Sequence, residues 1–224
     1  LANEVVHPQN QGSTSRKGSC VNKRLLIFLF IVVLLLTVAH LFSSQISPEL
    51  HLEFDFNAEG NVPTWFSTIL LFCIASNSFR IYQIDTDRQN KVRINQLFWG
   101  VMSTAFLFLS LEEGAQLHEI FEDQQLTKWI FVYAPFVILF IFLTYYYLYC
   151  ESCDQPLKHW LSWGLLLYIS GAFLFELITY LLHPLTPILQ QAEYVIEESF
   201  EMMGAILILV GTQQYLEKQK ESPS

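Results

Sequence analysis

LLIFLFIVVLLLTVAHLF, residues 25–42, decides how this chain is read. The run is apolar on every side, with no polar stripe that could face water. A helix of that kind is enclosed by protein or by lipid. At ~20 residues needed to cross a bilayer, the run is long enough for one span. Lys23 and Arg24 precede it as a basic anchor. Thr37-Val38-Ala39 has the small-residue form of a cleavage site. Much polar chain lies upstream of the run, so we expect a retained span and not a cleaved signal.

Working outward, five further stretches repeat the pattern. Six spans are expected at about 25–42, 64–82, 96–121, 129–150, 160–182 and 194–216. They form one transmembrane domain over 25–216, between a polar tail at 1–24 and a second at 217–224. Pro63 stands at the expected start of the second span, where a helix tolerates it. His183-Pro184 stops the fifth. Between the first two spans, His51 to Asn57 alternates polar and apolar, which predicts a short strand or extended segment.

Composition agrees. Of 224 residues, 52% are hydrophobic and only 15% charged, against ~25% charged in soluble domains. The net charge of −9 argues against a nucleic-acid partner. The four cysteines define no disulfide framework, and Cys150-x-x-Cys153 alone is half a zinc site.

Lys and Arg orient the bundle. Segments 1–24, 80–95, 151–159 and 217–224 hold eleven of the twelve, and only Lys128 falls on the other side. The positive-inside bias therefore predicts an all-α six-helix bundle with both termini cytoplasmic. Trp65, Trp99, Trp129, Trp160 and Trp163 fall near span ends, as an aromatic belt would have them. Tyr145 to Tyr149 reads as a further interfacial anchor.

The acids occupy the opposite side. Glu112, Glu113, His118 and Glu119 end the third span, Glu176 and His183 end the fifth, and Glu193, Glu197, Glu198 and Glu201 begin the sixth. At 1.5 Å per residue, Glu176 lies roughly 10 Å deeper than His183 and Glu201 roughly 12 Å deeper than Glu193. Each intramembrane acid costs at least ~2.5 kcal/mol to insert. Helical spacing puts Glu112, Gln116 and Glu119 on one face, Glu176 and His183 on another, and Glu197 and Glu201 on a third. Polar faces of a bundle point inward, so an acidic cavity open to the outer side is expected.

Carboxylates with imidazoles suit a divalent metal: zinc, manganese or iron. The expected ligands are Glu112, His118, Glu119, Glu176, His183, Glu197 and Glu201. Glu113 and Glu198 are the candidate catalytic bases, activating water with the metal against a lipid or envelope substrate. Ser110, one turn before Glu113, is a candidate donor to the site. The Glu-x-x-His pair of di-iron bundles is absent from the expected spans. A proton- or cation-coupled carrier is the alternative, since Glu and His chains serve coupling. A non-catalytic subunit beside partner membrane subunits is the third reading. His40, alone at a span end, reads as interfacial, and Gly171, Ala172, Gly204 and Ala205 as sites of close helix approach.

Glu59-Gly60-Asn61-Val62-Pro63-Thr64-Trp65-Phe66-Ser67, with Ser110-Leu111-Glu112-Glu113 and Leu117-His118-Glu119, resembles uncharacterised multi-pass membrane proteins of bacteria over about residues 50–215. The resemblance implies a bacterial inner membrane and a linked role for the three segments, with Glu59 and Asn61 as a lid over the cavity. It implies no activity.

Overall fold

The computed structural model describes residues 18–58, 60–87, 93–117, 129–151, 154–175, 177–178 and 186–221. Among these every regular element is helical: α1 (Gly18–Ser43), α2 (Pro48–Phe54), α3 (Val62–Asp87), α4 (Arg93–Ala115), α5 (Trp129–Tyr146), α6 (Gln155–Ile169) and α7 (Pro187–Glu221). A π turn, Tyr147–Glu151, continues α5, and another, Ser170–Phe175, continues α6.

α1 shows what kind of medium surrounds the bundle. Leu29, Val33 and Leu36, at i, i+4 and i+7, are buried, while Phe28, Leu34 and Leu35 are about as exposed as surface residues. A face so apolar and so exposed belongs in lipid. Among the described residues, four helices are long and apolar enough to cross a membrane: Lys23–Ser43, Val62–Thr86, Ile94–Ala115 and Val132–Glu151.

That is four, not the six expected. The stretches 160–182 and 194–216 fall on α6 and α7, and each falls short for its own reason. α6 and its π turn are described only from Gln155 to Phe175, and Lys158, His159 and Ser162 dilute the apolar character of that stretch. α7 runs for 35 residues, roughly 50 Å at 1.5 Å each. Its apolar character is broken by Glu193, Glu197, Glu198 and Glu201 and later by Gln213 and Gln214. α7 is the inner helix, packed against α1, α3 and α6. Met202, Ala205, Ile206, Ile208 and Val210 are almost fully enclosed. A helix so surrounded has no need of an apolar exterior.

Glycines let α6 and α7 touch. A methyl group on Gly164 would meet the Ile208 side chain at 2.6 Å, and one on Gly211 the Trp160 Cβ at 2.6 Å. The contact of Gly204 is with the Tyr168 backbone. Lipid chains are as apolar as leucine, so close backbone approach and interhelical hydrogen bonds hold such pairs. α3 and α4 use hydroxyls instead. Ser103 Oγ donates to Ala75 O at 3.1 Å, and Ser110 Oγ donates to Thr68 O at 3.0 Å. Ser110 therefore joins two helices and is not a donor to the acidic site.

The first half of the segment expected to be a strand, His51 to Phe54, is helical. Ser47 Oγ accepts the Leu50 N–H at 3.1 Å and Pro48 opens α2, so a cap and a favoured first residue override the two-residue alternation. His40 is tied in rather than merely interfacial. Its Nδ1 accepts the Phe56 N–H at 3.1 Å and its ring stacks on Phe56 at 5.0 Å. Asn61 is no lid. It is buried, its Nδ2 donates to Asp55 O at 2.6 Å and Leu52 O at 3.3 Å, and its Oδ1 accepts the Thr64 N–H at 3.3 Å. One side chain thus caps α3 and holds α2 to it. Glu59 lies outside the described residues.

Two further expectations change at the opposite end of the bundle. Trp99 is fully buried, its Nε1–H donating to Tyr147 Oη at 3.2 Å, while Phe98 stacks on Tyr147 at 3.9 Å. Neither Trp99 nor Tyr147 is a membrane-interface anchor. The π turn rotates the helix so that Tyr147 and Leu148 both turn inward while Tyr145 and Tyr149 stay out.

Candidate functional site

α4 ends at Ala115, where Gln116 takes a left-handed conformation (φ 55°). Glu112 and Gln116 do not share one helical face, because the helix closes before Gln116, and Glu119 lies outside the described residues. Glu112 and Glu113 therefore occupy the last turn of α4. α7 begins at Pro187 and presents Glu193, Glu197, Glu198 and Glu201 in its early turns. The spacing i, i+4, i+5, i+8 keeps all four along one side.

The two helix ends meet in a cavity of about 1960 Å³, bounded also by α3, α5 and α6. All six carboxylates line it. None of the described residues lining it is Lys, Arg or His. The electrostatic neighbours of Glu201 are Glu198, Glu113, Glu197 and Glu112, so acids from the two helices act on one another. The remainder of the lining is mostly apolar and runs along α4 to Gln96, past Phe106, Leu109 and Phe140.

Gly171 sets the depth of Glu201. A Cβ there would lie 2.6 Å from Glu201 Cγ and 2.8 Å from Glu197 O. Only a residue without a side chain lets the α6 backbone seat against these two acids. Tyr168, one turn earlier on α6, sits among Glu201, Glu113, Glu112 and Glu198. Tyr133 and Tyr194 add two phenols to the lining. The sequence reading did not pick out these tyrosines. The signal for Tyr168 was its position between Gly164 and Gly171, which marks the face pressed on α7.

Of the expected site residues, Glu112, Glu113, Glu197, Glu198 and Glu201 come together. His118, Glu119, Glu176 and His183 lie outside the described residues, as does Cys153. Among the described residues, no three of His, Cys, Asp and Glu form a group that could hold a metal ion. As they stand, the described carboxylates can accept hydrogen bonds, hold shared protons and attract cations.

No curated protein and no solved structure matches this chain. A family model does match, over residues 26–213, which is most of the chain and takes in both helix ends that carry the acids. The chain therefore belongs to the family described as Domain of unknown function (DUF8692).

Proposed function

We propose that this is a six-pass membrane protein whose acidic cavity binds a divalent cation and acts on a lipid or envelope substrate, as a hydrolase or lipid-modifying enzyme. The observation that carries the reading is the meeting of six glutamates from two helices in one large cavity. Acids so gathered repel unless they share protons or a cation offsets them. A zinc, manganese or iron ion would offset several at once and lower the pKa of a bound water. Glu112, Glu197 and Glu201, with His118, Glu119, Glu176 and His183, are the proposed ligands. Glu113 and Glu198 are the proposed bases.

Six passes follow if α6 and α7 cross with the four apolar spans. Trp160 at the start of α6 donates to Gln214 near the end of α7 at 3.0 Å, and Gly171 near the end of α6 meets Glu197 and Glu201. The pair is antiparallel over the span depth, as alternating passes require. With Lys23 and Arg24 beginning α1 and Lys218 and Lys220 ending α7, both termini are assigned to the cytoplasm of a bacterial inner membrane.

Elemental analysis of the purified protein tests the metal. Near-stoichiometric zinc, manganese or iron, lost in Glu112→Gln/Glu198→Gln/Glu201→Gln, is expected. No metal under any preparation refutes it. The length of the cavity favours a coupled carrier as second reading. Gradient-driven uptake in liposomes by a metal-free protein would select it.

A further inference from the structure

We propose that the cavity takes its substrate sideways out of the bilayer, through a cleft between α4 and α5, and that the substrate is a membrane lipid whose chain lies along the apolar part of the cavity. This rests on the reading of the acidic end as the reacting end.

The observations are these. Leu97 and Phe108 on α4 and Phe136, Leu139 and Phe142 on α5 line the cavity and are also exposed, Phe136 by 69% and Phe142 by 67%. They form the rim of an opening. Both helices are among the four able to cross a membrane, so the opening faces acyl chains and not water. The helices approach closely at the π turn, where Phe98 and Trp99 meet Tyr147, and less so above it.

Size points the same way. Pockets for drug-sized molecules measure about 300–1,000 Å³, and this cavity is about 1960 Å³. A void of that volume open to lipid loses dispersion contacts on every wall unless chains fill it. Along α4 the lining runs from Gln96 to Glu113, roughly 25 Å at 1.5 Å per residue. That is most of the ~30 Å hydrocarbon thickness. A chain entering from the side can lie in it with its head at Glu112 and Glu113. A compact water-soluble molecule would leave most of the length empty.

The test uses the full chain in phosphatidylcholine vesicles carrying a diazirine in the acyl chain. After irradiation, adducts are mapped by peptide mass spectrometry. Adducts at Leu165 and Tyr168, which line the cavity behind the rim, are expected beside those at lipid-facing Leu34 and Leu35 on α1. Ala105→Trp, which fills the groove, should lower the Leu165 and Tyr168 adducts about tenfold and leave the α1 adducts unchanged. Val101→Trp serves the same purpose if Ala105→Trp does not fold. Labelling confined to α1, labelling at Leu165 and Tyr168 indifferent to both tryptophans, or cross-links showing residues 1–17 in the groove would overturn the proposal. Metal content measured on the same samples separates the two ideas. Metal without cavity labelling sinks lateral entry alone, and cavity labelling without metal sinks the metal site alone.

Discussion

Gly171→Ala is the sharpest probe of how the acidic site is held. The added methyl would stand 2.6 Å from Glu201 Cγ, 2.8 Å from Glu197 O and 3.0 Å from Glu201 N. Ordinary contact begins at 3.4 Å, so the shortfalls are 0.8, 0.6 and 0.4 Å. Two of the three atoms are α7 backbone, which cannot swing away as a side-chain end can. α6 and α7 must therefore part. Overpacking of this kind costs about 1–3 kcal/mol, and alanine returns about 0.5–1 kcal/mol through helix propensity. The net expectation is a loss of up to about 2.5 kcal/mol. Gly100→Ala is the matched control, because its methyl would meet only Tyr82 ring carbons at 3.7 Å. That variant should gain about 0.5–1 kcal/mol by the same propensity argument. Reversible unfolding in bicelles measures both. The reasoning is refuted if Gly171→Ala stabilises as Gly100→Ala does. If it destabilises yet leaves metal and lipid binding untouched, Gly171 packs the helices without positioning Glu201.

At the other end, Asp154 does two things. Its Oδ1 accepts the Leu157 N–H at 3.0 Å as the cap of α6, and its Oδ2 pairs with Lys218 on α7. Asp154→Asn should keep the cap and lose at most about 1 kcal/mol, since Lys218 is largely exposed and the pair is screened. Asp154→Ala should lose about 1 kcal/mol more in the same unfolding assay. The hydrogen bond to Asp154 raises the Lys218 pKa above its ordinary value. The pair's stabilisation is therefore complete below about pH 10 and fades as pH rises through the raised value. A melting series from pH 8 to 11 should show the wild-type advantage over Asp154→Asn shrinking only at the alkaline end. Asn61→Ala removes the α3 cap and strands two carbonyls of the α2 segment. It should cost about 2 kcal/mol or more, with faster hydrogen exchange over residues 48–58. Gln116→Gly relieves a left-handed residue at the end of α4 and should raise stability by up to about 1 kcal/mol, read from the thermal midpoint.

The helical class and the meeting of Glu112 and Glu113 with Glu197, Glu198 and Glu201 were legible in the sequence. Both follow from local rules. Apolar runs report the cost of lipid exposure, and helical spacing reports which side chains share a face. What failed depended on neighbours or on single backbone choices. The alternation that begins at His51 yielded, as far as Phe54, to a helix capped by Ser47. Gln116 turned left-handed and left the helical face it was expected to share with Glu112. Trp99 and Tyr147 stood where anchors stand, yet meet edge to face inside the bundle. Tyr168 looked like any aromatic of a span until α6 was seen pressed against α7.

Residues 25–42 bear out this division. By themselves they determine that α1 is long and apolar enough to cross a membrane, because every side of it avoids water. They carry no information about what stands behind Leu29, Val33 and Leu36. Only the tertiary structure decided that the helix behind them is α7, with four glutamates on one side. Enclosure by other helices removes the demand for apolarity that makes a span readable. The helix that carries most of the described candidate site is for that reason the one whose own composition announces a span least.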